Sequence, residues 1–142
     1  MPTFYMLIGF PGSGKSTYAK KLAEKGVIVV SSDELREDKM TQINDKKVFQ
    51  KMRNIIKENL LLGKDVVADA TNVTASKRAS FLNELYKIPC KKIAIWVKRD
   101  VNVCIEQNSN RENKVPNVAI YTSAKRFIEP SLDEGFDEIM IV

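Results

Sequence analysis

Along the chain, short unbroken apolar runs alternate with stretches in which apolar residues recur every three or four positions. The runs are Phe4–Ile8, Val27–Val30, Val66–Ala68, Ile93–Val97 and Ile139–Val142. They are continuous rather than alternating, the pattern of strands covered on both faces in a parallel sheet. Between them Val48, Met52, Ile55, Ile56 and Leu60 form one helical stripe, and Ala79, Leu82, Leu85 and Tyr86 form another. Strands separated by helices predict an α/β domain, a doubly wound, mostly parallel five-stranded sheet with right-handed crossovers. Ligands of such sheets sit beyond the C-terminal ends of the strands. Candidate positions leave those ends in turn: Gly9 after the first run, Asp33 after the second, Asp69 after the third.

At 142 residues the chain reads as a single domain, 1–142. Such a domain buries about 68–70% of its unfolded surface and needs no staples. Hydrophobic residues make up 44% and charged ones 29%, which excludes a disordered or low-complexity chain. The longest apolar run falls far short of the ~20 residues that span a bilayer. The opening Met1–Ile8 lacks a basic leader and a small-residue cleavage site, so it reads as a first strand, and no membrane partner and a cytoplasmic location are expected. Cys90 and Cys104 lack metal or redox spacing and are expected to be buried, reduced thiols.

Histidine is absent altogether, which excludes Ser-His-Asp catalysis and argues against a zinc site. Any proton acceptor must be a carboxylate, Lys, Tyr or Cys. The net charge of +5 favours anionic partners, yet Lys20, Lys21, Lys46, Lys47, Lys51, Lys91 and Lys92 are scattered as on an ordinary solvated surface. Charge alone decides nothing. The oligomeric state is not legible, and a homo-oligomer stays open.

Gly9-Phe10-Pro11-Gly12-Ser13-Gly14-Lys15-Ser16 is a full Walker A sequence between an apolar strand and a helix. Its glycines let backbone N–H groups turn inward around phosphate oxygens, and the following helix points its positive end at the same anion. Lys15 adds charge at the β- and γ-phosphates, and the Ser16 hydroxyl takes a place on Mg²⁺. The expected nucleotide site comprises Gly9, Pro11, Gly12, Ser13, Gly14, Lys15, Ser16 and Thr17, with ATP or another nucleoside triphosphate as ligand.

Ser31-Ser32-Asp33-Glu34-Leu35-Arg36 follows the second strand, and Ser31 with Glu34 fits a capping box. Asp33 and Arg36 share a helix face at this spacing. They suit a general base with a phosphate clamp, and equally an ordinary ion pair. Asp69-Ala70-Thr71-Asn72 ends the third strand. Asp69 stands where a carboxylate orients magnesium, while Thr71, Asn72 and Thr74 are each able to cap the next helix. The polar segment about 107–116, stopped by Pro116, is expected to form a small lid, with Arg111 either supplying charge to the phosphates or lying solvated in a loop.

Together these segments resemble the kinase domain of the phage and bacterial polynucleotide 5′-hydroxyl kinases. The resemblance runs in order through Gly9–Ser16, Ser31–Arg36, Asp69–Asn72 and Asn108–Arg111, and Glu134–Ile139 is similar to the bacterial members. It implies a P-loop kinase architecture of the adenylate-kinase type and transfer of the ATP γ-phosphoryl group to the 5′-hydroxyl of an RNA or DNA end. Asp33 would be the general base, Arg36 the clamp on the acceptor's phosphate, and Arg111 a lid contact to the donor. Lys15 completes the catalytic set, Asp69 and Ser16 serve the metal, and Thr71 and Asn72 fall on the acceptor side. Gln107 departs from the family, which has an arginine there, and no Asp-x-Asp-Gly-Thr phosphatase motif is present. The chain is therefore expected to be a kinase domain alone or an excised one. A kinase of a small-molecule hydroxyl, such as a nucleoside, sugar or antibiotic, is the alternative. A nucleotide-gated binding module is a third reading, disfavoured because it needs no Asp33/Arg36 pair.

Overall fold

In the computed structural model, residues 1–36, 45–112 and 114–142 are described. Strands β1 (Thr3–Ile8), β2 (Ile28–Ser31), β3 (Val66–Asp69), β4 (Lys91–Trp96) and β5 (Glu138–Ile141) alternate with helices α1 (Lys15–Glu24), α2 (Ser32–Leu35), α3 (Asp45–Leu61), α4 (Ala75–Leu85), α5 (Val101–Ser109) and α6 (Asn117–Arg126). A 3₁₀ turn at Leu132–Glu134 precedes β5. The strand order is β2-β3-β1-β4-β5, and every pairing is parallel rather than mostly so. The five apolar runs each became a strand, with ends displaced by one or two residues.

The continuous runs follow from burial on both sides. On one face Phe4, Met6, Ile8, Val66, Ala68 and Ala94 meet Phe49, Met52, Ile56 and Leu60 of α3 and Phe81, Leu82 and Leu85 of α4. On the other, Leu7, Val67, Ile93 and Ile95 meet Ala19 and Leu22 of α1. Each large side chain withdrawn in this way contributes about 1.5–3 kcal/mol. Tyr86 does not join its expected stripe: α4 ends at Leu85, and Tyr86 is 76% exposed.

The expected capping box at Ser31 and Glu34 does not form, because Ser31 occupies the N-cap of the single-turn α2 without a side-chain bond. A capping box occurs instead at Ser131, whose hydroxyl accepts from Asp133 N–H while Glu134 accepts from Ser131 N–H. Thr74 caps α4 by accepting from Lys77 N–H. Among the described residues, no helix is long and apolar enough to cross a membrane. Cys90 and Cys104 are buried free thiols.

Candidate active site

Residues 9–14 run from the end of β1 into α1 with Gly12 at φ +82° and Gly14 at φ +94°. Only glycine adopts these values without steric cost. Gly12 is also crowded: a Cβ there would lie 2.3 Å from the Cys104 carbonyl oxygen on α5. Gly9 is tight as well, with a Cβ falling 2.7 Å from Ser13 Oγ, and its N–H donates to the Thr71 carbonyl at 3.0 Å. Gly14 faces open space and needs glycine for its dihedral alone. The turn closes through Ser13 N–H donating to the Phe10 carbonyl, while Ser13 Oγ is buried without a hydrogen-bond partner. Ser13 caps nothing; the N-cap of α1 is Gly14.

Gly12, Gly14, Lys15, Ser16 and Thr17 line a cavity of about 220 Å³, closed on its far side by Gln107 and Arg111. Pro11 is half-buried at its edge of the loop. Burial pushes the Lys15 ammonium below its usual pKa, opposed by the charges of Asp69 and Asp33, while Arg111 adds to the lowering. Burial likewise pushes the Asp69 carboxyl up, opposed by Lys15. The charges of Lys15 on α1, Asp33 on α2, Asp69 on β3 and Arg111 just after α5 thus act on one another.

Asp33 and Arg36 form an ion pair at 2.7 Å, Arg36 Nη1 donating to Asp33 Oδ1. The Asp33 side chain is 74% exposed and that of Arg36 only 17%. The carboxylate therefore faces solvent, where an incoming hydroxyl can reach it. Thr71 is half-buried and holds the phosphate loop through its carbonyl. Asn72 does so through its side chain, Nδ2 donating to the Leu7 carbonyl at 2.8 Å, and its backbone is left-handed at φ +49°. Both expected acceptor-side residues thus make bonds that tie β3 to β1. Asn72 is 1% exposed, too buried to meet a substrate directly.

Within the expected lid, Gln107 and Ser109 lie on the last turn of α5. Asn108 is buried and brackets the loop, accepting from Val115 N–H at 3.1 Å and donating to the Val115 carbonyl at 2.7 Å. Asn113 of the expected lid lies outside the described residues.

No motif in the sequence marks Arg78. It is fully buried, Nε donating to Glu134 Oε1 at 2.8 Å and Nη1 to the Asn72 carbonyl at 2.9 Å. A signal did exist: Arg78 falls on the apolar stripe of Phe81, Leu82 and Leu85, where a charge needs a partner. No motif marks the second cavity either. It measures about 380 Å³ and opens beside Gly9 and Phe10, walled by Trp96, Phe127 and the 98–101 segment.

The donor set suits a hard divalent cation, with the Ser16 hydroxyl in the phosphate cavity and the Asp69 carboxylate within charge range of Lys15. Among the described residues, no cluster of three or more His, Cys, Asp or Glu is placed to hold a metal by itself. Any cation here would share its ligands with a nucleotide.

Residues 4–130 match the AAA domain family. The chain is 30% identical over 140 residues to the L-seryl-tRNA(Sec) kinase of Methanococcus maripaludis, covering 93% of this chain and 55% of that protein. It is 27% identical over 139 residues to the bifunctional polynucleotide phosphatase/kinase of Schizosaccharomyces pombe, covering 94% of this chain and 32% of that one. This chain therefore spans about half or less of the relatives it matches. A crystal structure of a sugar kinase from Janibacter superposes with a TM-score of 0.77 at 14% identity, covering 100% of this chain and 85% of that one. The architecture is thus the P-loop kinase fold.

Proposed function

The chain belongs to the AAA domain family, and from that premise we propose that it is an ATP-dependent kinase whose acceptor hydroxyl is carried by a nucleic acid, in the first instance a 5′-hydroxyl end. The observation that carries this reading is Asp33, a solvent-facing carboxylate held by Arg36 at 2.7 Å on the turn that follows β2. Asp69, Asp33 and Arg111, from three other segments, all act on the Lys15 ammonium at the mouth of the phosphate loop. A nucleotide switch needs the loop and the metal carboxylate but no second carboxylate facing solvent. A kinase needs that carboxylate to take the acceptor's proton. Both curated relatives have names that specify acceptors borne by nucleic acid, a seryl-tRNA and a polynucleotide.

In this mechanism the glycine loop and Lys15 hold the β- and γ-phosphates, and Arg111 neutralises the charge that moves onto the leaving diphosphate. Ser16 and Asp69 would hold and orient Mg²⁺, which when bound would supply further charge neutralisation. Asp33 accepts the proton of the attacking hydroxyl. Arg36, already at 2.7 Å from Asp33, positions that carboxylate and would place its guanidinium beside an acceptor phosphate. Thr71 and Asn72 fix the loop from behind.

The metabolite-kinase reading has one observation in its favour. The Asp33–Arg36 pair is complete without any acceptor phosphate. Incubation with ATP and either a 5′-hydroxyl oligonucleotide, a nucleoside or a sugar separates the two. Phosphate found at the oligonucleotide 5′ end, with poor use of bare nucleoside and sugar, supports the proposal. Equal or better use of the small acceptors overturns it.

A further inference from the structure

We propose that the cavity beside Gly9 and Phe10 is the acceptor's base pocket, taking a nucleobase of the strand whose hydroxyl is phosphorylated; this rests on the nucleic-acid reading above. The cavity measures about 380 Å³, within the range of small-ligand sites. It lies at the C-terminal ends of β1 and β4. The strand order changes direction here, with β3 and β2 on one side of β1 and β4 and β5 on the other. Such a switch point is where open α/β sheets hold their ligands.

Three aromatic rings build the wall. Phe10 and Phe127 meet edge to face at 5.5 Å and 82°, and Phe127 tilts against Trp96 at 5.2 Å. Trp96 is covered by Phe127 and by Lys98 Nζ, 5.2 Å over its ring. Phe10 and Phe127 are only half-buried, which leaves part of each of these two rings to a flat guest. Lys98, Arg99, Asp100 and Glu129 form an exposed rim of both signs. That mixture suits a nucleotide, which offers N–H donors at its base and anionic oxygens at its phosphates. A sugar could lay its C–H face on the rings but lacks the flat π face and N–H donors of a base, and an apolar guest has no use for the rim.

Geometry selects the acceptor over the donor. The donor phosphates belong to the cavity along Gly12–Thr17 and Arg111, at the start of α1, which packs on the Leu7 and Ile95 face of the sheet. Trp96 and Phe127 belong to the opposite face. In phosphoryl transfer the attacking and leaving oxygens are in line across the phosphorus, so the acceptor arrives from the side away from the β-phosphate. Phe10 stands on that side as part of the loop itself. Neighbouring strands are about 4.8 Å apart, so the pocket at the β1–β4 boundary lies within one nucleotide of a phosphate held over β1.

Trp96 is the only tryptophan, so its fluorescence reports the pocket without requiring catalysis. The probe is a nucleoside 3′-monophosphate with a free 5′-hydroxyl, titrated with and without a saturating non-hydrolysable ATP analogue. A saturable change in Trp96 emission that persists with the analogue bound is expected. Phe127→Ala should weaken probe binding about ten- to hundredfold, the scale of one lost base–aromatic contact, with ATP affinity within about twofold of wild type. Because Phe127 is also packed, Lys98→Glu on the exposed rim is the second variant. It should weaken the 3′-monophosphate more than the bare nucleoside. Competition by the analogue, with both variants weakening ATP instead, would make this the donor's base site and overturn the proposal. An equal response to a sugar, or none to the probe, would overturn it too. If Trp96 titrates with the probe while no oligonucleotide is phosphorylated, the kinase assignment falls and the pocket stands. If oligonucleotides are phosphorylated with an acceptor KM unchanged in both variants, the pocket falls and the kinase stands.

Discussion

Gly12 packs so closely on α5 that a methyl group there would lie 2.3 Å from the carbonyl oxygen of Cys104. The phosphate loop is thus shaped from behind by α5, the helix that leads into the expected lid segment. Asn108, one turn on from Cys104, meets the same glycine, a Cβ at Gly12 lying 3.3 Å from its own Cβ. Phosphate loop and α5 are one packed unit.

Gly12→Ala and Gly14→Ala should therefore differ although both have positive φ. Gly14 faces open space, so its alanine bears only the dihedral cost of about 1–2 kcal/mol. Gly12→Ala adds a backbone clash that α5 must move to relieve. Calorimetric titration with ATP and thermal melts should rank Gly12→Ala well below Gly14→Ala in both affinity and midpoint. Equal behaviour would refute the contact between the phosphate loop and α5.

Lys15→Ala should lower turnover about 10²–10³-fold, the effect of losing one preorganised electrostatic donor. The substitution also removes a desolvated ammonium, so the unliganded variant should be at least as stable as wild type. Near-normal turnover in a phosphoryl-transfer assay would rule out the P-loop mechanism.

Asp33→Asn keeps shape and removes basicity. Transfer should fall by about 10²–10⁴, with ATP affinity preserved because the residue is exposed beyond the phosphate cavity. If affinity and transfer fall together, Asp33 serves the metal or the fold instead.

The desolvated ammonium of half-buried Lys15 gives a pH dependence with a definite sign. Phosphate binding needs Lys15 protonated, and its pKa in the folded protein lies below the ordinary 10.5. ATP affinity should fall as pH rises through that lowered value, and binding between it and 10.5 should take up a proton. In the same window the unfolded chain holds the extra proton, so this group makes the unliganded fold more stable as pH rises. Asp69→Asn removes the charge that raises Lys15 most, moving the loss of affinity to lower pH. Titrations in buffers of different ionisation enthalpy measure the proton directly, and a pH-independent affinity would refute this.

Arg78→Leu should cost about 3–5 kcal/mol, because Glu134 and the Asn72 carbonyl lose a buried charged donor together. For a domain of this size that lowers the melting midpoint by about 10 °C or more. Denaturant unfolding tests it, and a change under about 1 kcal/mol would show the clamp to be dispensable.

Local order was legible in the residues themselves. Unbroken apolar runs encode strands buried on both faces, and Gly9–Ser16 encodes a phosphate loop because its backbone conformation needs glycine at fixed spacing. Those are properties of neighbours along the chain. The Ser31 capping box was also a local inference, and it failed because a single-turn helix is positioned by its packing rather than its caps. What tertiary structure alone decided is everything that joins distant segments. Arg78 on Glu134, Gly12 against Cys104, and the Phe10–Phe127–Trp96 pocket depend on strand order, which brings β1, β3 and β4 side by side. No residue's type reveals its neighbour across a sheet, because that neighbour is chosen by the burial of the whole core.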